Sequence, residues 1–180
     1  MTPKRVLFTI FDDYKSERLS LQLLSTIAME EGYERSSLII NSMPVEQAVE
    51  KARKFQPDII AYTAMTYEHM EVQRFNGLLK RSGLKFISIF GGPHYTFTPE
   101  EMVDDKDMDI VCRGEGEVAF REFVRAVRDS GDYRHIEKFW VREGDGIIQN
   151  PVGGLIQDLD SIPFADRDLF ALDNMERDHF

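Results

Sequence analysis

A chain of 180 residues, 42% of them hydrophobic, is long enough to bury one proper core, and nothing in it requires two. Its 22 Lys and Arg against 32 Asp and Glu leave a formal net charge of -10, spread along the chain, which argues against nucleic acid as the main partner because phosphates need an excess of cations. The single cysteine, Cys112, excludes a disulfide framework or a thiolate metal cage, no run approaches the ~20 apolar residues of a membrane span, and Met1 to Ile10 lacks a secretory signal, so a soluble, cytoplasmic chain is expected.

The predicted elements alternate between short β-rich runs and helix-period segments. "RVLFTIF" (Arg5 to Phe11) is a continuous apolar run of the kind that a strand buried on both faces shows. Leu19, Leu23, Leu24, Ile27 and Ala28 form a stripe at helical spacing that Gly32 can cap. "SSLII" (Ser36 to Ile40) predicts a second strand, and Pro44 starts a helix with Val45, Ala48, Val49 and Ala52 on one face, closed by Pro57. "DIIAYTAM" (Asp58 to Met65) is the third strand, and Val72, Phe75 and Leu79 mark the helix after it, ended by Gly83. "KFISIFGG" (Lys85 to Gly92) and "DIVCRG" (Asp109 to Gly114) are the fourth and fifth strands. Phe120, Phe123, Val124 and Val127 give the last strong helix.

Five rounds of strand then helix imply a parallel sheet covered on both faces, because right-handed crossovers allow little else. The expected fold is therefore α/β: a flavodoxin-like or Rossmann-like three-layer domain with a five-stranded parallel sheet over residues 1–135. Beyond Gly131 the pattern changes. "FWVREGDGIIQN" (Phe139 to Asn150) reads as a β-hairpin packed on by Trp140, and an irregular tail follows, so residues 136–180 are expected to form an appendage and linker.

In such a sheet the ligand site lies beyond the carboxyl ends of the strands, near the point where strand order reverses. The loop after the first strand holds Asp12 and Asp13, and receiver domains place an acidic pair there. Thr63 and the Cys112 to Gly114 segment stand where a receiver needs its phosphoacceptor aspartate and its lysine, so a solvated pair at a helix start is the plainer reading. After the third strand, Thr63 and Thr66 offer hydroxyls with room left by Ala64, although Thr66 equally suits a helix cap. Gly91 and Gly92 end a central strand, which fits positive φ, close approach of another backbone, or close approach of a ligand. His94 can bind a metal, donate a hydrogen bond or order its loop. "GEGE" (Gly114 to Glu117) carries two carboxylates that would repel a phosphate; they suit loop amides or ligand donors, and for Glu117 helix N-terminal stabilisation is sufficient. His69, His135 and His179 show no metal-ligand spacing in sequence, and no set of catalytic residues is recognisable.

"PDIIAYTAMT", "FGGPHYTFTPEE", "DIVCRGEGEVAFREFVRAV" and "LIQDLDSIPFADRDLF", in this order, resemble the cobalamin-binding N-terminal domain of cobalamin-dependent radical SAM enzymes. That group includes anaerobic magnesium-protoporphyrin ester cyclases and many methyltransferases. The resemblance runs from Arg5 to about Phe170 and implies a corrinoid lying across the strand ends with its nucleotide tail in a slot. It assigns Thr63, Ala64, Met65 and Thr66 to the lining, Gly91, Gly92 and Pro93 to the tail, and Gly114, Glu115 and Gly116 to the rim. His94 becomes the candidate cobalt contact, since "FDDYKSER" contains no histidine. The resemblance also implies a radical SAM domain after the tail, whose C-x-x-x-C-x-x-C motif would hold a 4Fe-4S cluster and S-adenosylmethionine. This chain has no such motif, so Cys112 reads as a small core residue and the 180 residues as a fragment. The competing expectation is a Rossmann-like regulatory domain without a ligand. On the slot reading, Gly92→Val blocks the tail and leaves the fold intact.

Overall fold

The structure is a computed structural model and describes residues 3–11 and 18–169, so Asp12, Asp13 and His179 lie outside the described residues. Among the described residues seven strands and six α-helices follow in chain order: β1 (Arg5–Ile10), α1 (Leu19–Glu30), β2 (Glu34–Ile39), α2 (Val45–Phe55), β3 (Ile59–Thr63), α3 (His69–Arg81), β4 (Ile87–Gly91), α4 (Pro93–Phe97), α5 (Glu101–Asp104), β5 (Ile110–Cys112), α6 (Glu117–Asp129), β6 (Phe139–Glu143) and β7 (Gly146–Gln149). They build one sheet in the order β2-β1-β3-β4-β5-β6-β7, with the first five strands parallel.

The α/β class and the five parallel strands agree with the sequence reading, but the sheet has seven strands rather than five. The hairpin is not merely packed on the domain. β6 pairs antiparallel with β5, setting Val111 opposite Trp140, and β7 pairs with β6. The physical reason is the open edge of β5: its unpaired amides and carbonyls accept a strand that alternates buried Phe139 and Val141 with the less buried Trp140 and Arg142.

Alternation along the strands feeds two cores. Phe8, Ala61, Ile89, Ile110, Cys112 and Phe139 face α1 and α6, while Leu7, Ile60, Tyr62, Phe90 and Val111 face α2 and α3. The α1/α6 contact is braced by buried Glu31, whose carboxylate meets Arg121, Arg125 and Arg128. The tail folds back onto this same layer. Thr26 Oγ1 donates to the Phe164 carbonyl at 2.7 Å, Ser25 Oγ donates to Asp166 Oδ2 at 2.7 Å, and Arg35 pairs with the same carboxylate.

Candidate functional site

Strand order reverses between β1 and β3, and beside that point a cavity of about 700 Å³ opens at the strand ends. Thr63, Gly91 and Cys112 close its floor from β3, β4 and β5, and Leu21, Leu24 and Phe120 wall it from α1 and α6. Its size and mainly apolar wall with a few polar atoms are those of a small-molecule or cofactor site.

Of the residues singled out in the sequence, Thr63, Met65, Gly91, Gly92, Pro93, Gly114, Glu115 and Gly116 line this cavity together. Ala64, Thr66 and His94 do not. Ala64 is fully buried, and its backbone is clamped, its amide donating to the Gly91 carbonyl and its own carbonyl accepting from the His94 amide, both at 3.2 Å. Thr66 is exposed beside His69.

The two glycines have different tasks. A Cβ built at Gly91 would meet nothing closer than the Tyr62 carbonyl at 3.9 Å, so its missing side chain leaves cavity space. At Gly92, φ is +96°, and a Cβ would stand 2.5 Å from Thr63 Oγ1 and 2.9 Å from the Ala64 carbonyl. Gly92 thus admits the β3 backbone, and the expectation that Gly92→Val spares the fold is corrected: the clash is with main chain, which cannot swing aside.

The first glutamate of the GEGE loop is occupied by its own chain, since Glu115 Oε2 accepts from the Ile156 amide at 2.7 Å. That bond brings the tail to the rim, where Leu155 lines the cavity. Thr96 ties the two glycine loops, its hydroxyl donating to the Gly92 carbonyl and accepting from the Gly114 amide, each at 3.0 Å. Sequence reasoning missed Thr96, Leu155 and Arg18. The signal for Thr96 lay in the GGPHYT segment itself, where a hydroxyl sits four residues after a glycine.

Two polar atoms of the wall, Arg18 Nε and Glu117 Oε2, are buried with no hydrogen-bond partner among the described residues. An unpaired donor and an unpaired acceptor buried in the wall cost free energy. With the space left at Gly91, these residues fit a bulky heterocyclic group carrying a few polar atoms.

Cys112 is buried on the floor, and desolvation, aided by the nearby Glu117 carboxylate, pushes its thiol up to about 12. At pH 8 only about 10⁻⁴ of it is thiolate, the reactive form. Iodoacetamide should therefore label the native chain about a hundredfold or more slower than the urea-unfolded chain. Equal rates would put the thiol in open solvent.

His94 is 4% exposed and lies off the cavity, with Nε2 2.8 Å from Glu101 Oε1 and its ring stacked on His69 at 4.0 Å. No face of the imidazole is open to a cobalt, so His94 as a cobalt contact gives way to this cluster. His69, which lacked ligand spacing in sequence, joins it because α3 and α4 start side by side.

The B12 binding domain model matches residues 13–124, more than half of the chain. The chain belongs to the B12-binding domain family. It is 34% identical over 127 residues to an uncharacterised methyltransferase of Pyrococcus horikoshii, covering 70% of this chain and 28% of that one. An anaerobic magnesium-protoporphyrin IX monomethyl ester cyclase of Cereibacter sphaeroides is 28% identical over 121 residues, covering 65% and 20%. The cobalamin-bound structure of the radical S-adenosylmethionine methyltransferase TsrM from Kitasatospora setae superposes with a TM-score of 0.70 at 16% identity, covering 83% and 31%. The chain thus spans under a third of these relatives. Family membership favours a cobalamin-binding module over an empty regulatory domain, and among the described residues no helix is long and apolar enough to cross a membrane.

Proposed function

We propose that this domain binds a corrinoid with its nucleotide tail in the cavity at the strand ends and presents the cobalt to a radical SAM domain joined covalently after the tail. The observation that carries this reading is the space kept open at Gly91 in a cavity of about 700 Å³. Thr63, Met65, Pro93, Gly114 and Gly116 would line the tail's path, with Arg18 and Glu117 at its wall. Ala64, Gly92 and Thr96 would hold the wall in place through the backbone. The corrinoid supplies cobalt chemistry such as methyl transfer to the full-length enzyme, and the 4Fe-4S cluster and S-adenosylmethionine would belong to the following domain. Among the described residues no histidine lines the cavity. A reducing cytoplasm suits its one buried free thiol.

Incubation with hydroxocobalamin, desalting and a visible spectrum test the proposal. Expected is about one corrinoid retained per chain, with a base-off spectrum. No retention at roughly 50 µM corrinoid overturns it for this chain.

A further inference from the structure

Across the glycine pair from the cavity, three metal-ligating side chains from three elements converge: His69 on α3, His94 on α4 and Glu101 on α5, all donor atoms within 4.8 Å of one another. Glu101 Oε1 lies 2.8 Å from His94 Nε2 and 3.8 Å from His69 Nε2. A tetrahedral ion with bonds near 2.1 Å holds its donors about 3.4 Å apart, between these two distances.

The surrounding hydrogen bonds fix the chemistry of the donors. His69 Nδ1 contacts the Thr66 carbonyl, which can only accept, so Nδ1 is a donor, and in the neutral ring Nε2 turns a lone pair toward the carboxylate. Lone pair facing carboxylate is repulsive unless a cation or a proton stands between them. Glu101 itself is fixed from behind, because Gln73 Nε2 donates to its other oxygen at 2.6 Å. A backbone carbonyl behind a histidine and an amide behind a carboxylate are the supports that orient metal ligands. Thr98 Oγ1, 3.2 Å from His94 Nε2, or water can complete the set, since His69 and Glu101 are only partly buried. Two imidazoles and one carboxylate select a borderline divalent transition ion rather than calcium or magnesium.

We propose that His69, His94 and Glu101 form a structural site for a divalent transition metal, zinc in the first instance. The ion would pin the starts of α3 and α4 to α5 and so stiffen the loop that carries Gly91 and Gly92. This site does not depend on the corrinoid reading.

The test uses the tag-free chain, stripped with chelator and free of cobalamin, titrated with Zn²⁺ by calorimetry. Expected is about one ion per chain with a Kd of ~1 µM or tighter, and a Tm rise of roughly 5–10 °C at a hundredfold excess over Kd. His69→Ala and Glu101→Gln should each weaken binding at least tenfold, with circular dichroism confirming the fold, while His135→Ala changes nothing. No saturable binding up to about 100 µM Zn²⁺, or equal affinity in His69→Ala, overturns the site. If His69→Ala fails to fold, Glu101→Gln alone decides.

Discussion

Gly91→Val should abolish hydroxocobalamin retention while leaving the thermal transition within a few degrees of the parent, and Gly92→Val should do the reverse damage first, by unfolding. At Gly91 a Cβ is in ordinary contact, 3.9 Å from the Tyr62 carbonyl, and the residue is the last of a strand, where valine is a favoured residue. Gly91 lines the cavity, so the added methyls would take up space there. A tail that uses that space loses at least a hundredfold in affinity, about 2.7 kcal/mol. At Gly92 the added carbon meets the Ala64 carbonyl at 2.9 Å with φ at +96°. Overpacking against main chain and a left-handed β-branched residue together cost about 3–5 kcal/mol, a large part of a domain's stability. At 2–4 °C per kcal/mol the Tm should fall by roughly 6–20 °C. Corrinoid retained by Gly91→Val at the parent level would place the tail elsewhere, and an unchanged Tm for Gly92→Val would refute the close approach of β3 and β4.

The parts of the fold written in local periodicity were legible, and the parts made by contacts distant in sequence were not. Runs such as Val6 to Ile10 and Ile59 to Thr63 are buried on both faces, so they had to be mainly apolar, with only Thr9 and Thr63 carrying short hydroxyls. The βα alternation then pointed to the loops after β3, β4 and β5, which do meet at one cavity. Five- and four-residue helices such as α4 and α5 are too short to show a 3.6-residue period, so the GGPH segment read as a loop. The hairpin's place in the sheet depends on the exposed edge of β5, a property of neighbours rather than of its own residues. Arg35 and Asp166 stand 131 residues apart, and no local pattern predicts that the tail returns to α1. The glycine pair was readable as unusual, but only the backbone conformation separates the glycine that serves the ligand from the one that serves the chain.

Glu68→Gln should be strongly destabilising at the rim of the site, at about 3–5 kcal/mol. Glu68 is fully buried, pairs with the nearly buried Arg18 and accepts the Met65 amide at 2.8 Å. Those bonds join the residue before α1 to the β3–α3 loop, the two chain segments that flank the cavity on its β1 and β3 side. Removing the negative charge takes from the guanidinium the one carboxylate that pairs with it among the described residues, and the cost of leaving it so buried exceeds what the pair's attraction contributes. Arg18→Met with Glu68→Leu should recover most of the loss, because the same volume is then filled without charge. The double variant should still retain less corrinoid than the parent if Arg18 Nε meets the ligand. Chemical denaturation of the parent, the single variant and the double variant separates stability from binding. A Glu68→Gln chain as stable as the parent would show that the pair is solvated, and a double variant no better than the single would show that the Met65 amide, not the charge, governs the loop.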